Sequence, residues 1–162
     1  MQLAIDIQNV SDHYSPTKAT FHYWLETALS KLATYSTDHT ELTGKIALTS
    51  SIEISIRIVD DNEIQQLNRD YRQHNKPTNI LSFTADLPVD IQPQLLGDLV
   101  ICAPVVAAEA IRFGKSKEAH WAHMVIHGLL HLLGYDHITD DEALEMEALE
   151  AKLLAELNQK IC

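Results

Sequence analysis

SIEISIRIVDDNEIQQLNRDYR, residues 51–72, changes its hydrophobic period partway along and so decides the fold class. Ile52, Ile54, Ile56 and Ile58 alternate with Glu53, Ser55 and Arg57, the period-two pattern of a strand with one face in a core. Asp60 is followed three residues on by Glu63, a capping pattern, and Ile64, Leu67 and Tyr71 then recur at helical spacing. A half-buried strand that runs straight into a helix is the unit of an α/β layer domain.

The same reading extends in both directions. MQLAIDIQNV alternates apolar and polar residues and contains Asp6, so it reads as a first strand and not as a signal peptide. Pro16 precedes a helix from about Lys18 to Thr34, with Phe21, Leu25, Leu29 and Leu32 on one face. The polar stretch 36–44 reads as a loop. Downstream, Lys76-Pro77 is expected to break the second helix, and Thr78–Phe83 and Leu99–Cys102 read as strands. Pro104 opens a helix closed by Gly114, and another runs from about Lys117 to Leu133. Thr139 and Glu142 form a capping box for a last helix, whose Met146, Leu149, Leu153 and Leu157 are expected to face inward and its acids outward. The expectation is a single α/β (α+β) domain over residues 1–162, with a roughly four-stranded mixed sheet packed by about five helices. Strand order does not follow from the pattern.

Composition narrows the function. Hydrophobic residues make up 46% of the chain, which excludes disorder, and no apolar run approaches the ~20 residues that span a membrane. The two cysteines, Cys102 and Cys162, read as reduced thiols of a cytoplasmic protein. A net charge of −11 argues against a phosphate-binding surface. The charge is uneven, however: acids crowd the segment from Asp140 to Glu156, while Arg69, Arg72 and Lys76 cluster elsewhere. A local basic groove is compatible with the total.

The chemistry concentrates in HGLLHLLGYDH, residues 127–137. His127 and His131 are four apart and project from one helix face, one turn above the other. Gly134 can take the left-handed conformation that ends a helix, letting the chain return through Tyr135 and Asp136 to offer His137 as a third ligand. Three imidazoles leave a tetrahedral ion one open position, as in a catalytic zinc site; nickel, copper and iron also bind histidine. His120 and His123 precede the motif on the same helix side, whereas His13, His22, His39 and His74 read as ordinary polar residues. Zinc lowers the pKa of a coordinated water to near 7 and polarises carbonyl or phosphoryl oxygens, so the spacing points to hydrolysis. It resembles the metzincin protease motif, but the position of that motif's general-base glutamate is Gly128 here, and glycine takes no proton. Asp136 reads equally as a partner for a ligand N–H or as a turn residue.

In LNRDYRQHNKPTNILSF, residues 67–83, Arg72 and Lys76 surround a helix end and a proline turn. An arginine there offers paired donors to a phosphate; a solvated helix C-terminus is the alternative reading. Together YRQHNKPTNILSF, LLGDLVIC and EAHWAHMVIHGLLHLLGYDH, followed by EALEMEALE, resemble the YbeY family of bacterial metal-dependent endoribonucleases from residue 51 onward. The resemblance implies one zinc per chain on His127, His131 and His137, and a functional role for Arg72. It further implies single-stranded ribosomal RNA as substrate, maturation of the small-subunit RNA 3′ end, ribosome quality control, and association with the small ribosomal subunit and assembly factors. The rival expectations are a metzincin-like protease and a non-catalytic ribosome-assembly module with structural zinc.

Overall fold

The computed structural model describes residues 2–35, 51–85, 93–135 and 138–157. Four strands form one sheet: β1 (Gln2–Asn9), β2 (Ser51–Val59), β3 (Ile80–Thr84) and β4 (Gln94–Cys102). Their order is β1-β2-β4-β3, with β1, β2 and β4 parallel and β3 antiparallel to β4 at the edge. The helices among the described residues are α1 (Lys18–Tyr35), α2 (Asp61–Arg72), α3 (Ala103–Arg112), α4 (Lys117–Leu132) and α5 (Asp140–Glu156). The expected mixed sheet and five helices are therefore present. None of these helices is long and apolar enough to cross a membrane. The expected loop at 36–44, together with His39, Asp136, His137 and Cys162, falls outside the described residues.

The alternation in β2 sends Ile52, Ile54, Ile56 and Ile58 into the main core with Leu99 and Ile101 of β4, a core shared with side chains of α1, α4 and α5. Phe21 and Trp121 meet edge to face, ring centres 6.0 Å apart, and join α1 to α4. Val59, Leu81, Val100 and Cys102 point the other way and are covered by Ile64 and Leu67 of α2. Thus α2 and α4 lie on opposite faces of the sheet.

Local details depart from the pattern in instructive ways. Asp60 caps α2 without a side-chain bond to the helix; its carboxylate instead accepts from the Ser11 hydroxyl at 2.6 Å. Glu63 is drawn to Arg57 on the adjacent strand, whose Nη2 donates at 2.9 Å, because a charged fork outcompetes a backbone amide. The helix ends at Arg72, before the proline, with Gln73 in the left-handed region at φ 61°. β4 begins at Gln94, well before Leu99. Ser116 and Thr139 do cap their helices, accepting from Ala119 N and Glu142 N at 3.1 Å each.

Candidate metal centre

α4 is apolar on the sides that meet α1 and the sheet, so its one polar stripe, His120, His123, His127 and His131, faces away from the main core. The rings of His127 and His131 stand 4.6 Å apart, and their Nε2 atoms approach to 3.1 Å. Two nitrogens each ~2.0–2.1 Å from one tetrahedral zinc would lie roughly 3.3 Å apart, so this pair fits the donor geometry of a shared ion. Gly134, at φ 99°, takes the conformation that ends the helix as expected. The third expected ligand, His137, lies outside the described residues, and among those described no three metal-binding side chains converge.

A fourth participant comes from α5. Glu150 accepts from Nδ1 of His127 at 2.5 Å and from Nε2 of His123 at 3.0 Å. Burial alone would raise its pKa, but the two histidine bonds and their charge prevail and hold it at about 2. It is therefore an ionised acceptor, the kind of group that orients a ligating imidazole. The expectation that the acids of this helix form a solvated outer face fails at Glu150, which is only 6% exposed. Met146, Glu150, Leu153 and Leu157 share one helical stripe, and that spacing was the available signal.

His120 and His123 prove to be structural neighbours of the pair. His120 donates from Nε2 to Glu109 at 2.9 Å, and Glu109 in turn accepts from Asn79 Nδ2 at 3.2 Å. Burial works against ionisation of Glu109, yet the bonds from His120 and Asn79 keep its carboxyl below the usual range. Asn79 belongs to the KPTN segment, and its Oδ1 also accepts from Ile80 N at 2.7 Å. Asn68 Nδ2 donates to the carbonyl of Lys76 at 2.9 Å, so the same segment is fixed to α2. Glu109, Asn79 and Asn68 hence tie the arginine-bearing helix to the histidine-bearing one.

Arg72 itself is exposed at the end of α2, and no hydrogen bond or ion pair joins it to the histidines among the described residues. The neighbouring Tyr71 ring packs edge-on against Phe83 of β3 at 5.2 Å. A cavity of about 500 Å³ beside these two rings opens on the α2 face of the sheet, includes Asp6 and Asp98, and contains none of the histidines.

Gly128 explains the missing glutamate. A Cβ there would come within 2.7 Å of Ile80 Cδ1 and 2.8 Å of Leu99 Cδ2, because α4 lies directly on β3 and β4. The position that bears a base in metzincins faces the sheet here.

The family model for "Endoribonuclease YbeY" matches residues 6–158. A Pseudomonas entomophila protein of that name is 51% identical over 96% of this chain and 89% of its own length. One from Pseudomonas syringae pv. syringae is 49% identical over 96% of this chain and 84% of its own. The solution structure of TM1509 from Thermotoga maritima shares the fold, with a TM-score of 0.53 at 21% identity, over 96% of this chain and 92% of that one. With a tethered histidine pair on α4 and matches spanning nearly its whole length, the chain belongs to the endoribonuclease YbeY family.

Proposed function

We propose that this protein is a zinc-dependent endoribonuclease that cuts single-stranded ribosomal RNA in the cytoplasm, maturing the small-subunit RNA 3′ end and serving ribosome quality control. Its partners are then the small ribosomal subunit and assembly factors. The observation that carries the reading is the convergence of two imidazole Nε2 atoms at 3.1 Å, one of them anchored from behind by an ionised, buried carboxylate. His127, His131 and His137 would hold the ion. When bound, zinc supplies Lewis acidity towards a phosphoryl oxygen and a water of lowered pKa. The chain's own contribution is orientation: Glu150 fixes the His127 ring, and Arg72 clamps a phosphate as negative charge accumulates on it.

A protease is disfavoured by Gly128, which has neither the carboxylate nor the room for one. A non-catalytic assembly module is separated by experiment. Wild type and His131→Ala, purified identically to control for stray nucleases, are compared for zinc content and for cleavage of a defined single-stranded ribosomal RNA. The expected result is loss of both in the variant. Equal cleavage by metal-free His131→Ala would defeat the proposal. Product ends then identify the nucleophile: a 2′,3′-cyclic phosphate means the RNA's own 2′-hydroxyl attacked first.

A further inference from the structure

Lys115 sits in the turn between α3 and α4, and its ammonium lies 3.0 Å from Nδ1 of His123. An ammonium has hydrogens and no lone pair, so this Nδ1 must be the acceptor. The single hydrogen of the neutral ring is then on Nε2, where it is donated to Glu150 at 3.0 Å. An ionised carboxylate only accepts, so its second oxygen must receive an N–H from Nδ1 of His127 at 2.5 Å. The neutral form of His127 then keeps its lone pair on Nε2, which faces Nε2 of His131 at 3.1 Å. Each bond dictates the polarity of the next. Moving the His123 hydrogen to Nδ1 would set an N–H against the ammonium, and turning the ring over would set a C–H there.

We infer that Lys115 is a positioning residue for the histidine centre: acting through His123 and Glu150, it selects the His127 tautomer that presents a lone pair at Nε2. The inference rests on the reading that His127 and His131 share a divalent ion. It carries an asymmetry between the two rings. With both rings neutral, His131 is the donor in the 3.1 Å pair, with its hydrogen on Nε2. On binding an ion it must surrender that hydrogen from Nε2, whereas His127 has nothing to rearrange.

The test uses ¹⁵N-labelled histidine in the full-length protein, with no RNA present. Long-range ¹H–¹⁵N spectra of the metal-free wild type should show the hydrogen on Nε2 of His123, Nδ1 of His127 and Nε2 of His131. Adding zinc alone should alter His131 and leave the His127 tautomer as it was. Lys115→Met, a surface-turn change that keeps the aliphatic stem, should give mixed tautomers at His123 and His127. Its zinc affinity, measured by chelator competition, should fall roughly tenfold, the lower end for a change behind a ligand. Lys115→Arg should restore both readings. A wild-type His127 carrying its hydrogen on Nε2 overturns the inference without any variant, and so does Lys115→Met with unaltered tautomers and affinity. Failure to cleave RNA would count against the nuclease reading alone.

Discussion

Glu150 reaches across from α5 to accept the Nδ1 hydrogen of His127 at 2.5 Å, joining two helices through residues 23 apart in sequence. The bond makes a buried carboxylate part of the centre and gives it an acid-sensitive dependence. Its folded pKa, about 2, lies below the ordinary glutamate value of about 4.3. Such a depressed group stabilises the fold above the unfolded value, and the contribution is lost as pH falls from about 4.3 to about 2. The amount is on the order of 3 kcal/mol. Urea unfolding of the metal-free protein should therefore show wild type more stable than Glu150→Gln at pH 6, with the gap closing towards pH 2.5. A gap independent of pH would rule out an ionised Glu150.

The same variant separates folding from metal binding. Glu150→Gln keeps the shape and can still accept one hydrogen bond, but it loses the charge that orients His127. Zinc affinity should drop roughly 10–100-fold, as for other partners of ligating histidines. Competition with a chelator measures it, and circular dichroism at neutral pH should show the fold retained.

How much of this was legible in the sequence depends on how far apart the cooperating residues lie. His127 and His131 belong to one helix, where a spacing of four fixes their common face. The alternation of Ile52 to Ile58 likewise fixes which side of β2 is buried. The many acids of α5 make Glu150 read as a solvated residue, although its place on the stripe with Met146 and Leu153 marks it as buried. The order β1-β2-β4-β3 was not legible, since alternation tells a strand its faces and not its neighbours. Nor could sequence show why residue 128 is glycine, which depends on α4 lying against Ile80 and Leu99.

Gly128 gives a direct test of that packing. Alanine gains helix propensity of up to about 1 kcal/mol but forces its Cβ into the Ile80 and Leu99 side chains, a strain of about 1–3 kcal/mol. Gly128→Ala should thus be neutral to destabilising by about 2 kcal/mol in urea unfolding. Gly128→Glu should be far worse and should not create peptidase activity, because the carboxylate would point at the sheet. Peptide cleavage by a folded Gly128→Glu protein would show that a carboxylate at this position reaches the histidines and does not point at the sheet.

Cys102 is fully buried at the end of β4, and its thiol donates to Asp61 at 3.2 Å. Burial, with a smaller contribution from the Asp61 carboxylate, pushes its pKa up to about 12, against an offsetting backbone bond from Val105. A raised thiol stabilises the fold fully below the unfolded value of about 8.5, and the contribution is lost as pH rises from there to about 12. It is a poor nucleophile at neutral pH. In a Cys162→Ser background, iodoacetamide at pH 8 should label Cys102 rapidly only after denaturation. Labelling of the native protein at the denatured rate would contradict the buried position.

Arg72 and the histidines flank the same edge strand, β3, from opposite sheet faces: Leu81 packs under α2 and Ile80 under α4. On the proposed reading, an RNA strand crossing that edge would meet the histidines on one face and the guanidinium on the other without either group moving through the core. The roles are then separable by mutation. Arg72→Ala should retain zinc and fold yet lose roughly 10²–10³-fold in single-turnover cleavage, the scale of removing one donor to developing charge. Arg72→Lys keeps the charge but not the paired donors and should recover only part of that loss. If Arg72→Ala cleaves at the wild-type rate, the phosphate clamp lies elsewhere, and Lys76 in the adjoining turn is the next cation to substitute.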